Sequence, residues 1–273
     1  MQTPHIAFVG AGNMAASIVG GLLESGHPAS RLSAADPFAD SLERLRVLGV
    51  DALHTDNAAA VAGADVVILA VKPQVMAEAA DSIAAAVRDS AALVISIAAG
   101  ITVEALQRRL GETAAIVRCM PNTPALLRCG ASGLYASAGT TAQQRGHAEL
   151  VLGAVGSTCW VESEAELDAI TALSGSGPAY FFLFMEAMID AGESLGLQRD
   201  TATALALQTG LGAARMALEN DLDLVELRRR VTSPGGTTER ALQHFEQDGL
   251  RDIVASAMRA AADRAAEMAR EMG

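Results

Sequence analysis

Lysine is almost missing from this chain. Its 273 residues hold nineteen arginines and a single lysine, Lys72, so any chemistry that needs a lysine must use that one. Positive charge as a whole is short, with Lys and Arg at 20 against Asp and Glu at 32, a formal net charge of −12. Such a field repels phosphate backbones and anionic lipid heads, so neither nucleic acid nor a membrane is expected as a partner. Long apolar runs are also lacking. Hydrophobic residues make up 51% of the chain and mean hydropathy is +0.27, but much of this is alanine. The strongest run, Val66 to Val71, is far too short to span a bilayer. Cysteine is limited to Cys119, Cys129 and Cys159, with no C-x-x-C pair, which argues for reduced structural thiols over a disulfide or zinc framework. No metal site is expected. The opening MQTPHIAFVG lacks a basic stretch ahead of a long apolar one, so no secretory signal is read and the expected location is the cytoplasm.

What the chain does contain is length enough for a sizeable core and a two-part pattern. Up to about Cys159, short β-branched runs alternate with Ala/Leu-rich amphipathic runs, the mark of a mostly parallel sheet with crossover helices. Strands are expected at Ile6–Val9, Leu32–Ala35, Val66–Ala70, Leu93–Ile97 and Ile116–Cys119, with weaker ones at Asp51–Leu53, Gly133–Tyr135 and Thr158–Val161. Runs such as VVILAV, apolar throughout, call for burial on both faces, as an open doubly wound sheet provides. After Ser163 helical periodicity takes over, so domains are expected at residues 1–162 and 163–273. Within the second, Ala202–Leu218 is apolar or small nearly all round and has no face that wants water, which suits an oligomer interface.

The first chemical motif is IAFVGAGNMAASIVGGLL, a strand, then Gly10-Ala11-Gly12-Asn13-Met14-Ala15, then a helix. In this pattern Gly10 permits the tight turn, Gly12 lets backbone approach a pyrophosphate, and Ala15 keeps helix and strand close. The helix start offers N–H groups and a positive dipole end to the diphosphate. Glycines also make ordinary strand-to-helix turns, but here a βαβ unit follows and ends in Asp36. That carboxylate stands where it can bond the ribose 2′-OH of NAD and would repel the extra phosphate of NADP. It can equally serve as a helix cap or turn residue before Pro37. Lys72 follows the fourth strand in LAVKPQ, stiffened by Pro73, and reads either as a site-wall residue or as a solvated loop lysine. SIAAGI (Ser96–Ile101) and RCMPNTP (Arg118–Pro124) end the next two strands with small residues or prolines, where a nicotinamide ring must slide in.

In the helical half, SPGGTTERAL is a glycine-rich turn leading into a helix near Thr237. Hydroxyls of Ser233, Thr237 and Thr238 beside exposed N–H groups suit a small carboxylate, and they suit a plain capped helix as well. SGSGP (Ser174–Pro178) allows close backbone contact, with Pro178 able to open the next helix. The five histidines fall outside these turns and read as surface or helix residues, and Gly175-Ser176-Gly177 lacks the spacing of a nucleophile elbow, so a hydrolase triad is not expected.

Taken in order, GAGNMA, LAVKPQ, SIAAGI, RCMPNTP, LSGSGPAY and TSPGGTTERAL make the whole chain resemble the pyrroline-5-carboxylate reductase family, which catalyses the last step of proline biosynthesis. The resemblance implies an α/β Rossmann domain followed by an all-α dimerisation domain, dimers that interleave and assemble into a ring, and active sites between protomers. It also implies hydride transfer from NADPH or NADH to the C=N carbon of the cyclic imine, giving L-proline. By motif, the cofactor residues are Val9, Gly10, Ala11, Gly12, Asn13, Met14, Asp36, Asn57, Ala70, Val71, Lys72, Pro73, Ile97, Ala98 and Ala99. Substrate falls to Ser233, Gly235, Gly236 and Thr237, with Ser174, Gly175 and Ser176 as walls, and Thr238 takes the catalytic place facing the ring nitrogen. Position 36 varies within the family, so the resemblance leaves the choice of cofactor open. Two other readings remain: a β-hydroxyacid dehydrogenase, which needs a lysine in the helical part, and a dinucleotide-binding sensor without turnover.

Overall fold

Short apolar β-branched segments form strands because their side chains pack on both sides of a pleated ribbon. In the computed structural model, which describes residues 3–272, there are eight: β1 (Ile6–Val9), β2 (Leu32–Ala35), β3 (Ala52–His54), β4 (Val66–Leu69), β5 (Leu93–Ser96), β6 (Ile116–Met120), β7 (Gly130–Ala136) and β8 (Gly156–Trp160). They form one sheet in the order β3-β2-β1-β4-β5-β6-β7-β8. Neighbours are parallel except β6 and β7, which run antiparallel with Cys119 opposite Leu134. The chain starts in the middle, steps outward to β3 and then reverses across β1 to β4, so the crevice where strand order switches lies between β1 and β4 at their carboxyl ends.

Alternation along the strands divides the core in two. Ile6, Phe8, Ile68, Ile95 and Val117 face one layer, where helices α1 (Asn13–Glu24), α2 (Ala39–Val47) and α6 (Ala142–Gly153) lay down Ile18, Leu22, Leu45 and Leu152. Val9, Val67, Leu69 and Val94 face the other, against Val61, Ile83 and Leu106 of α3 (Asn57–Val61), α4 (Met76–Ser90) and α5 (Val103–Leu110). Each such fully buried side chain contributes roughly 1.5–3 kcal/mol of apolar burial. The two-layer arrangement is the doubly wound, Rossmann-type fold expected from the patterning. Strand ends differ from expectation by a residue or two, β7 is longer, and α3 was not anticipated.

One polar cluster joins the sheet to the chain beyond it. Arg118 of β6 is buried, and its Nη1 donates to Glu164 Oε1 at 3.0 Å. The same carboxylate oxygen accepts the Val103 N–H at 2.8 Å, at the start of α5. Helix α7 (Glu166–Ile170) packs on β6 and β7 and buries Leu167. Because of that packing, the compact units divide between Ser176 and Gly177, later than the compositional change at Ser163. The first comprises Met1–Ser176 with Ala260–Gly273, the second Gly177–Arg259.

The second unit holds α8 (Gly177–Ser194), α9 (Arg199–Leu218), α10 (Leu224–Arg230), α11 (Thr237–Gln247) and the beginning of α12 (Leu250–Met272). Its buried core is a cluster of Ile189, Ala202 and Ala206, where α8 and α9 pack. Phe181, Phe182, Leu183, Leu207, Leu211 and Leu218 meanwhile stand exposed, Leu218 at 86%. A core of three modest side chains is too small to hold such a unit, and an apolar surface of this extent is the mark of an interaction face. Among the described residues no helix is long and apolar enough to cross a membrane.

Candidate active site

The turn after β1 is shaped by what its glycines touch. Gly10 has φ +96°, and a Cβ built on it would lie 2.8 Å from the Ala70 carbonyl oxygen and 3.0 Å from Val71 Cγ1, so the turn closes only because no side chain is there. Gly12 is the opposite case, with open space where a Cβ would be. It is the N-cap of α1 and supplies no side-chain cap, which leaves first-turn N–H groups of the helix free for an anion. Ala15, one turn on, is fully buried and holds α1 close to the sheet. A bare carboxyl-end loop, an uncapped helix start and free space above it together fit a pyrophosphate.

Asp36 follows β2 and is nearly buried. Its Oδ2 accepts the Ala11 N–H at 2.8 Å and its Oδ1 accepts the Phe38 N–H at 2.9 Å. The residue is therefore a turn residue and a brace for the glycine loop at once, while the N-cap of α2 is Phe38. Asn13 accepts a hydrogen bond from Arg44 Nη1 at 2.7 Å. Asn57, at the start of α3, donates to Ser82 Oγ at 3.0 Å.

Beyond the glycine loop lies a crevice of about 360 Å³ lined by Met14, Ala70, Val71, Lys72, Ile97 and Ala99, with Met120, Pro121, Asn122, Thr123 and Gly175 on its other side. Six of the fifteen expected cofactor residues meet there. Val9 and Ala98 are buried in the core, and Pro73 lines a separate cavity beside Met76 and Met272. Gly10, Ala11, Gly12 and Asp36 lie in loops, and Asn13 and Asn57 open α1 and α3; none of the six is part of the crevice lining. The Met120–Thr123 wall was legible only as the proline-bearing end of β6, and Asn122 is its key. Buried, it donates Nδ2 to the Ser174 carbonyl at 3.0 Å and accepts the Ala131 N–H at 2.9 Å, tying the SGSGP segment to β7. A π-helical turn, Thr171–Gly175, leads into that segment, closed by the Ser176 N–H on the Thr171 carbonyl at 2.8 Å. Of its three expected wall residues, Gly175 reaches the crevice; Ser174 Oγ turns back to Ile170 and donates to its carbonyl.

The remaining candidates sit in the second unit. Ser233 to Gly236 form a tight turn, the Gly236 N–H donating to the Ser233 carbonyl at 3.0 Å, with Pro234 and Gly235 at its centre and Gly235 at φ +70°. This is the residue order of a type II turn. Gly236 is the N-cap of α11 and again offers no side-chain cap. Glu239 reaches back so that its Oε2 accepts the Gly235 N–H at 2.7 Å. Thr237 and Thr238 thus occupy the first turn of an uncapped, dipole-positive helix end, chemistry that receives a carboxylate.

His27 is not a surface residue: it is buried, its Nε2 has no partner, and burial pushes its pKa down. Cys119 is buried in the core, and burial pushes its thiol up, as suits an inert structural cysteine, whereas Cys129 and Cys159 are exposed. No cluster of three His, Cys, Asp or Glu side chains among the described residues could hold a metal ion.

Comparison with known proteins adds the following. Residues 164–268 match the family model described as pyrroline-5-carboxylate reductase dimerisation, and residues 5–100 match that of NADP oxidoreductase, coenzyme F420-dependent. The pyrroline-5-carboxylate reductase of Pseudomonas aeruginosa is 54% identical, with all of both chains covered. That of Pasteurella multocida is 47% identical over 98% of each. The solved pyrroline-5-carboxylate reductase of Coxiella burnetii superposes with TM-score 0.95 at 44% identity, covering 98% of this chain and 99% of that one. The Plasmodium falciparum pyrroline carboxylate reductase, solved with NADP bound, gives TM-score 0.84 at 27% identity, covering 98% and 99%. A 3-hydroxyisobutyrate dehydrogenase of Mycobacterium tuberculosis shares the fold alone, at TM-score 0.53 and 20% identity over 99% of this chain and 95% of that one.

Proposed function

The chain belongs to the pyrroline-5-carboxylate reductase family, NAD(P)H-dependent oxidoreductases that turn 1-pyrroline-5-carboxylate into L-proline, and on that premise we propose how its own residues divide the work. The observation that carries the cofactor role is the contrast between Gly10, which admits no side chain, and Gly12, which leaves an open approach to the start of α1. The Gly10-Ala11-Gly12 loop and the first turn of α1, with Asn13 and Met14, hold the diphosphate. Asp36 and Asn57 serve the adenosine half, and Ala70, Val71, Lys72, Pro73, Ile97, Ala98 and Ala99 form the nicotinamide side together with Val9 behind the turn. Bound there, the reduced nicotinamide supplies a hydride.

On the substrate side, the Ser233 and Thr237 hydroxyls and the uncapped first-turn N–H groups of α11 hold the carboxylate, with Gly235 and Gly236 shaping the turn that brings it there. Ser174, Gly175 and Ser176 act as wall residues. A cyclic iminium is already electrophilic, so it needs positioning and exclusion of water rather than a strong base. Thr238 faces the ring nitrogen. Its ordinary hydroxyl is a weak acid, so its role is to position that nitrogen and, through water at Oγ1, relay the proton that the amine nitrogen takes up once the hydride has been added to the carbon. The lysine required by a β-hydroxyacid dehydrogenase has no counterpart in the helical part, because Lys72 stands after β4.

The family's dimerisation segment makes the chain a homo-oligomer. The exposed Phe181–Leu183 and Leu207–Leu218 surface supports a homodimer through the helical residues 163–273, and we propose further assembly of dimers into a ring; the glycine loop supports a dinucleotide-binding role for residues 1–162. We place the enzyme in the cytoplasm, acting on small molecules alone.

The test is the initial rate of loss of reduced-nicotinamide absorbance with pyrroline-5-carboxylate, for the wild type and Thr238→Ala, with NADH and NADPH in parallel. Thr238→Ala is expected to lower kcat by roughly 100-fold or more, the range of positioned proton-transfer groups, with cofactor affinity intact. Unchanged turnover in the variant would remove Thr238 from the mechanism; no turnover in the wild type with either cofactor would favour the sensor reading.

A further inference from the structure

Hydride passes only when the acceptor carbon comes within about 3–3.5 Å of the nicotinamide. The imine ring must therefore enter the crevice that Ala70, Lys72, Ile97 and Ala99 line. Whatever stands across that crevice limits the ring. The longest side chain on the far side is Met120, at the end of β6, in the company of Asn122, Thr123 and Gly175. A thioether arm has no hydrogen bond to offer of any strength, so its influence there is one of shape.

Two glycines show what seats Met120. Across β6 and β7 it pairs with Gly133, and a Cβ on Gly133 would fall within the Ile170 side chain. Paired residues share a face of the sheet, so Ile170, the last residue of α7, fills the space beside Met120. A Cβ on Gly175 would in turn lie 2.7 Å from Met120 Cε. In an α-helix the residues one turn beyond Ile170 on its own face would be Leu173 and Ser174, both with side chains. The π turn closes five residues apart, by the Ser176 N–H on the Thr171 carbonyl, and so brings Gly175 to that place instead. Asn122 fixes the turn, donating to the Ser174 carbonyl at 3.0 Å.

We propose that Met120, seated against Gly175, determines the ring size of the cyclic imines that this enzyme reduces. Shortening Met120 enlarges the crevice. A methyl at position 175 must move Cε aside, and the open space beside both residues is the crevice itself. The proposal rests on the nicotinamide reading of that crevice.

The test compares kcat/KM of the full-length enzyme, at saturating reduced cofactor, for pyrroline-5-carboxylate and for its homologue with one more ring methylene, 1-piperideine-6-carboxylate. One methylene in an apolar pocket is worth roughly 10- to 200-fold, so Met120→Ala is expected to raise the six- to five-membered ratio by about tenfold or more. Met120→Leu, close in volume but without the reach of Cε, should move the ratio the same way and is read where Met120→Ala does not fold. Gly175→Ala should lower kcat/KM for pyrroline-5-carboxylate by about tenfold or more in the wild-type background, and by less than about threefold once Met120 is alanine, because the displaced atom is gone. A ratio within about threefold of the wild type in the folded Met120 variants overturns the proposal, and so does a Gly175→Ala loss of the same size in both backgrounds. A wild type that turns over neither imine would remove the reductase reading itself, and with it this inference.

Discussion

Substituting alanine at Gly10 and at Gly12 separates the part of the nucleotide loop that the fold needs from the part that the ligand needs. At Gly10 two costs combine. An L-residue at φ +96° is strained by about 1–3 kcal/mol. Its Cβ would also lie 2.8 Å from Ala70 O and 2.9 Å from Ala70 C, backbone atoms just past β4 that cannot rotate aside, and overpacking of this kind costs a further ~1–3 kcal/mol. The sum, about 2–6 kcal/mol, is a large fraction of the ~5–15 kcal/mol that holds a typical protein folded. With a urea slope of about 2 kcal/mol/M, the unfolding midpoint should fall by about 1–3 M. Gly12→Ala carries neither cost: its φ of −71° and ψ of −174° are open to any L-residue, and nothing lies within 4 Å of the added carbon. Its stability should change by less than about 1 kcal/mol. The added methyl does stand where a diphosphate must approach, so dinucleotide affinity should drop at least tenfold, about 1.4 kcal/mol. Urea unfolding followed by circular dichroism and calorimetric titration with NADH read the two quantities separately. Wild-type affinity in Gly12→Ala would refute the diphosphate assignment, and a wild-type midpoint in Gly10→Ala would refute the close approach of Ala70.

Other outcomes follow from the buried polar groups. Arg118→Met leaves Glu164 tied to the Val103 N–H but without its cation, so it should destabilise by about 3 kcal/mol, and adding Glu164→Gln should recover part of that. Strictly additive urea midpoints across the two singles and the double would show that the pair is not coupled. His27 has a folded-state pKa below its ordinary 6.5, so below that value the unfolded chain binds the proton first. Its contribution is therefore complete above about pH 6.5 and declines as the pH falls. His27→Gln should flatten that part of the stability profile, and a profile unchanged by the substitution would show that His27 does not titrate as its burial implies.

Much of this was legible because the decisive signals are local. A β-branched run such as Val66–Leu69 can be satisfied only between two apolar layers, and Gly10-Ala11-Gly12 after such a run has few other uses. Legibility failed where tertiary packing decides. Helix α3 is five residues, three of them alanine, too short to show a period. Nothing in Thr171–Gly175 announces a π turn, nor that Asn122, from another element, donates to the Ser174 carbonyl within it. His27 looked like a surface histidine because burial is set by the packing around the end of α1. Asp36 read as either a nucleotide ligand or a turn residue; the fold shows the turn bond to Phe38 and the brace to Ala11 together, which no sequence pattern separates.

The membership of α12 in both units bears on synthesis. All eight strands have been translated once residue 160 is added, yet the end of α12 from Ala260 to Met272 belongs with the sheet. The Met268 carbonyl would lie 3.3 Å from a Cβ at Gly100, and Met272 packs against the Val94 side of the core. A nascent chain must therefore keep that strip of the sheet uncovered while the second unit is made, and the sheet-bearing unit reaches its final form only after nearly all of the segment that matches the family's dimerisation model has been translated.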